Sequence, residues 1–444
     1  MASHPKNSTF KPLSTMAAIP AAVMGLGVML AIFFDKEYAL FGRLALGSDF
    51  AWFVDGAKMV KGNLSPYLSG GYVTPPFAAQ VISAMGLAFA DPTYLAQGMM
   101  LFTAACLAGS FAALWHLFGK RWPSWTEWAW FGLLSCTSYP VMFLLGRGNV
   151  DGVVLALTVA VIALAMQSEK FGLQSTRGRA LDLAAGLILA CGVGVKIYPV
   201  LFLLPLAFLG RWWIIAGTVV TLGGMVASAP GDWQSFLIER VLFRSSWSGE
   251  GHECAGIFSF FHWLTNYSNG IFGTTFEHSV ARLWGAGFYI LALTSFSWWL
   301  IKRAPDRLRT IPAVFALFGP FAVAIPDVSY AYMVVQVTVL IAFVSIHPAG
   351  RLINRRWAAL GIGLLHPNWF AVEVAWRGWI PEHLFGGANG IGSFVLLGGL
   401  LWMSARYWVA RLPIANSGSG TPIFKTAQSS DDPSSLIRHD ERVS

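Results

Sequence analysis

The chain has 444 residues, of which 55% are apolar and only 12% are charged, and its mean hydropathy is +0.58. A water-soluble protein of this length could not bury so much apolar side-chain surface. Uncharged stretches of about 15 to 25 residues recur along the chain, which predicts an all-α polytopic membrane protein, because a spanning segment must satisfy its backbone hydrogen bonds internally. The composition therefore excludes soluble enzymes, secreted disulfide scaffolds and disordered regulators.

The charge balance points to a membrane and not to nucleic acid. The net charge of +8 comes from 30 Lys and Arg against 22 Asp and Glu, and such an excess is typical of the cytoplasmic loops of membrane proteins. We therefore expect contact with membrane lipids and no nucleic-acid partner. The four cysteines show neither a disulfide framework nor a metal-ligand spacing.

Thirteen apolar segments follow one another between residues 17 and 405. Lys6 and Lys11 precede the first of them, so residues 1–16 are predicted to be a cytoplasmic N-terminus. After residue 167 the basic connections all fall on one side if every segment crosses, but the same alternation traced backwards places residues 35–75 inside, in conflict with that N-terminus. We therefore expect about twelve transmembrane helices, with the run 76–90 or one of its neighbours short or re-entrant.

These assignments define the predicted organisation of the chain. A membrane domain extends over residues 17–410, with external loops at 35–75 and 230–282. Residues 411–444 are rich in Ser, Asp, Pro, Gly and Arg with little periodicity, which predicts a disordered cytoplasmic tail.

The first external loop is the most informative part of the sequence. Residues 49–60 are predicted to form a short amphipathic helix on the membrane surface, with Phe50, Trp52, Phe53 and Val54 towards lipid. Asp49 would lie at or near the N-cap of this helix, either as a cap alone or as a carboxylate held at the membrane boundary as a general base.

A set of motifs occurs in order across roughly residues 45 to 335 and resembles the GT-C glycosyltransferases of family 87. The motifs are an acidic residue with aromatics at 49–53, G-x-x-x-P-Y at 62–67, Y-x-x-P-P at 72–76, GRGN at 146–149, GVKIYP at 194–199 and PDVSYAY at 326–332. The chain departs from that family in having Arg147 where Gln is commoner, and Tyr330 and Ala331 where Trp and a polar residue are commoner.

The resemblance implies a GT-C fold and an enzyme that moves a hexose, by default mannose, from a polyprenyl-phosphate donor to an acceptor hydroxyl. The acceptor is a lipid or a glycan, transfer proceeds with inversion on the non-cytoplasmic face, and Asp49 is the implied general base. The polyprenyl-phosphate sugar is a co-substrate, so no cofactor is expected. We expect the protein in a bacterial inner membrane with its active site on the outer face.

The chemistry also needs positive charge to hold the departing phosphate. Lys196 interrupts an apolar stretch, which favours either phosphate contact or snorkelling to water. Arg147 lies at an external apex with Asn149, where it either contacts substrate or forms a structural ion pair with Asp151. On sequence alone, Lys196 and Arg147 could therefore each contact substrate or have a purely structural role.

Four further residues complete the predicted substrate-binding set. Arg244 and His252 lie in the 230–282 loop, Tyr332 matches an aromatic or His position of the family, and Asp55 lies about 240° around the helix from Asp49, too far to form a carboxylate pair. The stretch GEGHEC at 249–254 matches no zinc template, so no metal site is predicted.

Two other classes of function compete with the enzyme. A transporter or flippase for a lipid-linked sugar would show inverted repeats and broken helices with charges near the membrane midplane, and an assembly subunit would lack a base. The sequence shows no convincing repeat, its candidate charges lie at segment ends, and Asp49 is present. These features favour the enzyme.

Overall fold

The structure is a computed structural model that describes residues 10–33, 48–69, 72–87, 91–238, 256–275, 277–325, 331–367 and 390–409. Within these ranges the chain is helical and contains no β-strand. The α-helices are α1 Phe10–Phe33, α2 Ser48–Lys61, α3 Pro76–Ala84, α4 Pro92–Gly119, α5 Trp125–Thr137, α6 Tyr139–Arg147, α7 Asp151–Phe171, α8 Thr176–Val195, α9 Leu203–Phe208, α10 Trp212–Ser228, α11 Pro230–Ser235, α12 Ile257–Phe272, α13 His278–Lys302, α14 Ile311–Val323, α15 Thr338–Ile346, α16 Arg355–Leu365 and α17 Gly390–Val409. Short 3-10 helices lie at Pro66–Ser69, Tyr198–Phe202, Asp306–Leu308, Ala331–Val337 and Pro348–Leu352.

Several helices are suited to a bilayer. In the part of the chain that the structure describes, four helices (α4, α7, α8 and α13) are long and apolar enough to cross a membrane by themselves. The number rises to six if the bent pairs α5–α6 and α10–α11 each count as one span, with bends of 72° and 108°. The chain is thus a multi-pass helical membrane protein, and the total of about twelve crossings stays a prediction. The predicted tail at 411–444 lies outside the described residues.

The ambiguous apolar run at 76–90 forms a short helix. Helix α3 has nine residues, so it is about 14 Å long at 1.5 Å per residue, roughly half the hydrocarbon thickness of a bilayer. It packs against α2 and α8. Because α3 is too short to cross alone, it is a suitable candidate for the non-crossing segment that the charge pattern requires.

Helix α2 is packed inside the protein on the face that was predicted to meet lipid. Phe50, Phe53 and Val54 are 6%, 4% and 2% exposed, and the ring of Phe53 meets Tyr72 edge-on at 5.9 Å. The prediction that these three side chains face lipid is therefore wrong. The apolar face of α2 is covered instead by α3, the 3-10 helix Pro66–Ser69 and Trp233 of α11.

Helices α8 and α10 pack closely and so fix the position of charged residues at their ends. A Cβ atom at Gly186 of α8 would lie 2.3 Å from the carbonyl oxygen of Ile214 on α10, and one at Gly217 would lie 2.7 Å from that of Leu183. Only glycine permits this approach, which is typical of membrane helix pairs. Because α7 and α8 are antiparallel neighbours joined by a short turn, the N-terminus of α7 and the C-terminus of α8 lie at the same end.

At the opposite end of these helices, Arg211 is buried and holds them together. Its guanidinium lies 3.3 Å from the carboxylate of Asp182 on α8 and donates a hydrogen bond to the carbonyl oxygen of Ala165 on α7. A buried ion pair contributes little net stability, but removing one partner is costly. Arg211, which directly precedes α10, therefore links that helix to α7 and α8.

Candidate functional site

Asp49 is a buried carboxylate, 4% exposed in the first turn of α2. Arg147 donates a hydrogen bond from Nε to Oδ1 at 2.6 Å, and Asn149 donates one from Nδ2 to Oδ2 at 2.7 Å. Both carboxylate oxygens are therefore occupied by side chains of the GRGN motif. Asp49 does more than cap a helix, because its charge is compensated by a cation from a distant part of the chain.

The turn that presents Arg147 and Asn149 is determined by the glycine between them. Helix α6 ends at Arg147, and Gly148 has a φ of +65°, in the left-handed region that favours glycine. The N–H of Asn149 donates to the carbonyl oxygen of Leu144 at 2.9 Å, as at many helix C-termini. Because α7 begins at Asp151, a single reversal of the chain supplies Arg147, Asn149 and Asp151 to the site.

Aromatic rings flank the guanidinium of Arg147. Its central carbon lies 4.8 Å from the ring centroid of Phe143 and 5.9 Å from that of Trp52, within the range of cation–π attraction. Arg147 forms its ion pair with Asp49 and not with Asp151, so the alternative of an Arg147–Asp151 pair is wrong. The reason is tertiary, since α2 brings a second carboxylate to the turn.

Asp151 faces a different cation. Its side chain is fully buried, and Oδ2 lies 3.6 Å from Nζ of Lys196. Oδ1 accepts a hydrogen bond from the hydroxyl of Tyr198 at 2.8 Å, and Gln336 donates from Nε2 to the same hydroxyl at 2.7 Å. Sequence reasoning missed Asp151, Tyr198 and Gln336 as members of the site, although Gln336 was recognisable as a polar residue in an apolar run.

Asn149 links the Asp49 carboxylate to the backbone of Asp151. While its Nδ2 donates to Asp49, its Oδ1 accepts the backbone N–H of Asp151 at 3.2 Å. These two bonds fix the orientation of the amide. Lys196 is only 8% exposed, at the C-terminus of α8, so it is buried beside Asp151 and does not snorkel to water.

The Y-x-x-P-P motif holds α2 and α3 together beside this cluster. The hydroxyl of Tyr72 donates to the carbonyl oxygen of Pro75 at 2.6 Å and accepts the N–H of Ala79 at 3.1 Å. Burial raises the pKa of Tyr72 above its usual value, so the hydroxyl stays protonated. A Cβ atom at Gly56 of α2 would lie 2.6 Å from the Tyr72 ring, so the two elements are in close contact.

An apolar groove of about 440 Å³ adjoins the charged cluster. Its lining includes the sequence neighbours of the polar residues: Phe50 follows Asp49, Val150 lies between Asn149 and Asp151, and Val195 precedes Lys196. Met85, Tyr94 and Phe102 also line the groove and are 66%, 74% and 55% exposed. The groove is therefore lined by apolar side chains, is open to the protein surface, and lies next in sequence to the residues of the charged cluster.

The other predicted site residues are not part of this cluster or are not described. Asp55 accepts a hydrogen bond from Lys58 at 3.0 Å, and both side chains are about half exposed. Tyr332 belongs to the 3-10 helix Ala331–Val337, but its side chain is outside the described part. Arg244 and His252 lie outside the described residues, as does the stretch 249–254. Within the described ranges, no group of three His, Cys, Asp or Glu could hold a metal ion.

Comparison with known proteins identifies one family. The sequence model of glycosyltransferase family 87 matches residues 72–311, more than half of the chain. This range includes the GRGN turn and Lys196 but not Asp49, Asp55 or Tyr332. A comparison with curated proteins gives no match.

Among solved structures, the chain is similar to "ArnT from Cupriavidus metallidurans in the apo state". The identity is 15%, with 87% of this chain and 78% of that chain covered, and the TM-score is 0.37.

Proposed function

Because the chain belongs to glycosyltransferase family 87, we propose that it transfers a hexose from a polyprenyl-phosphate donor to an acceptor hydroxyl of a lipid or glycan. Mannose is the default sugar, and transfer takes place with inversion. In this proposal the enzyme lies in a bacterial inner membrane with its site on the outer face.

The observation that supports this donor is an apolar groove lined by sequence neighbours of the charged cluster. A polyprenyl-phosphate sugar is amphipathic, with a long hydrocarbon chain next to an anionic phosphate. The groove gives the hydrocarbon chain an apolar surface. Lys196 follows the lining residue Val195 in the sequence, and Arg147 precedes the lining residue Val150 by three positions. Arg and Lys both hold phosphate by charge-assisted hydrogen bonds.

Asp49 is the proposed general base. It takes the proton of the acceptor hydroxyl while the hydroxyl oxygen forms a bond to the anomeric carbon of the donor sugar. The bond from that carbon to the phosphate oxygen breaks at the same time, and polyprenyl phosphate leaves with the electron pair. A single displacement of this kind inverts the anomeric carbon.

The donor also prepares the base in this mechanism. In the free protein both oxygens of the Asp49 carboxylate are occupied, one by Arg147 at 2.6 Å and the other by Asn149 at 2.7 Å. A donor phosphate competes with Asp49 for the guanidinium. As Arg147 turns towards the phosphate, Asp49 is released for the acceptor and the cation stabilises the charge of the leaving group.

The test is transfer of radiolabelled sugar from synthetic polyprenyl-phosphate mannose to membrane lipid extract by the purified protein. We expect Asp49→Ala and Asp49→Asn to abolish transfer while folding is retained. Asp306→Asn is the matched control, because Asp306 is exposed in a 3-10 helix outside the charged cluster.

The outcomes separate the competing readings. Activity that survives in both Asp49 variants would move the base elsewhere, with Asp55→Asn as the next variant. No transfer by the wild type, with polyprenyl-phosphate glucose and galactose tried as well, would contradict the proposed donor. Movement of the lipid-linked sugar across proteoliposome membranes without transfer would instead support a transporter or flippase.

A further inference from the structure

We propose that Asp151 is a positioning residue that directs the ammonium of Lys196 towards the donor phosphate, with Tyr198 and Gln336 holding the Asp151 carboxylate in place. This inference rests on the proposed function, because it assigns a role within the same phosphate site. It gives a purpose to a buried carboxylate that the transfer chemistry itself does not use.

Lys196 needs a counter-charge because of where it lies. Its side chain is 10% exposed, and the carboxylate 3.6 Å away belongs to a fully buried Asp151. A buried ammonium is costly unless an opposite charge faces it. Without Asp151 the ammonium of Lys196 would lack this counter-charge and would turn away from the site towards water, where it could no longer hold an anion.

The distance between the two groups suits a shared role. A separation of 3.6 Å exceeds a hydrogen bond, so Asp151 acts on Lys196 mainly by charge. A phosphate that binds Lys196 therefore does not need to displace this counter-charge. By contrast, Asp49 is bound by short hydrogen bonds on both oxygens.

The Asp151 carboxylate is itself held by a short chain of hydrogen bonds. Tyr198 donates to its Oδ1, and Gln336 donates both to the Tyr198 hydroxyl at 2.7 Å and to the backbone carbonyl oxygen of Asp151 at 3.3 Å. These partners come from the 3-10 helices Tyr198–Phe202 and Ala331–Val337. The orientation of Oδ2 towards Lys196 therefore depends on two buried residues.

The experiment measures binding of farnesyl phosphate, a short polyprenyl phosphate without sugar, to the purified full-length protein by isothermal titration calorimetry. The variants are Lys196→Met, Asp151→Asn, their double variant and Tyr198→Phe. Tyr289→Phe is the matched control, because Tyr289 is also buried and donates to a backbone carbonyl oxygen, that of Phe321 at 3.1 Å. Unfolding temperature is recorded for each protein, so loss of fold is separated from loss of affinity.

We expect Lys196→Met and Asp151→Asn each to weaken binding about tenfold, and the double variant to be no weaker than the worse single variant, since one residue acts through the other. Tyr198→Phe, which keeps both charges, weakens binding about threefold, and Tyr289→Phe leaves it unchanged. The double variant also restores charge balance in the buried pair, so it guards against misfolding of the single variants.

If the Asp151→Asn variant binds farnesyl phosphate as tightly as the wild type or more tightly, the carboxylate does not help to hold the anion. That result would overturn the inference. Losses that add in the double variant would overturn it as well. Wild-type protein that binds the probe but transfers no sugar would contradict the proposed function and leave the positioning role standing. Absence of binding by the wild type would contradict both.

Discussion

Arg147 donates a hydrogen bond from Nε to Oδ1 of Asp49 at 2.6 Å, and these two residues are 98 positions apart in the chain. The contact joins the first loop helix to the GRGN turn. It places the proposed base and a proposed phosphate ligand in one ion pair, so binding of the donor and activation of the base are coupled in the mechanism.

The first prediction concerns Arg147. Replacement by Gln removes the cation, and we expect kcat/KM for the donor to fall by about 10² to 10³, the usual effect of losing a group that stabilises transition-state charge. Arg147→Lys keeps the charge but not the planar Nε donor, so its kcat/KM should lie between the values for the wild type and for Arg147→Gln. Steady-state kinetics over a range of donor concentrations check this. Unchanged donor kinetics in Arg147→Gln would contradict the phosphate role.

The second prediction concerns Asn149, whose Nδ2 lies 2.7 Å from Asp49. Asn149→Asp replaces this donor by a carboxylate, and two carboxylates at that distance cannot both be ionised near neutral pH. The pair then retains a proton, so transfer should be lost at pH 7 and partly recovered as the pH rises. A pH–rate profile measures this effect.

The control for that variant is Asn354→Asp. Asn354 is exposed and caps α16 through its Oδ1, and an aspartate retains this cap. We expect its pH–rate profile to match that of the wild type. If the pH–rate profile of Asn149→Asp is also unchanged, Asn149 does not influence the general base and the prediction is contradicted.

The third prediction concerns the groove. Gly98 of α4 lines it, and no heavy atom lies within 4 Å of a Cβ atom built there. Gly98→Phe should therefore fill part of the cavity without disturbing the backbone, and raise the KM for a polyprenyl donor about tenfold with little change in kcat. Gly109→Phe on the same helix is the control, because that position is exposed and equally open. Equal effects of the two changes would argue against the groove as the chain site.

The fourth prediction concerns pH and stability. His347 follows α15, where its ring stacks on Phe343 at 4.6 Å and its Nδ1 accepts the N–H of Ala349 at 3.2 Å. Burial lowers the pKa of His347 from its usual value of 6.5. The folded state thus favours the neutral ring, so its stabilising effect is complete above pH 6.5 and is lost as the pH falls through the lowered pKa.

Unfolding temperatures in detergent between pH 7.5 and pH 5 check this. We expect the wild type to lose stability towards the acid end more steeply than His347→Gln, in which this titration is absent. The comparison uses the slope with pH, because Gln also removes the stacking contact. Parallel slopes would show that His347 contributes nothing to acid sensitivity.

The sequence identified several residues of the site but not which of them form ion pairs with each other. Asp49, Arg147, Asn149 and Lys196 were all identified, and the structure brings the first three into direct contact. The pairing of Arg147 was left open, because the choice between Asp49 and Asp151 depends on where α2 packs. Local spacing carries no information on that choice.

The amino-acid sequence by itself determined that this is a helical membrane protein, because apolar runs of this length have few other stable solutions, and it indicated the family through short motifs at fixed places. Only the tertiary structure decided which face of α2 is buried and that Lys196 forms an ion pair with Asp151. It also decided that Tyr198 donates a hydrogen bond to Asp151 and that Gln336 donates one to Tyr198. Contacts of this kind join residues from separate helices, and they depend on side-chain direction and close packing across the whole fold.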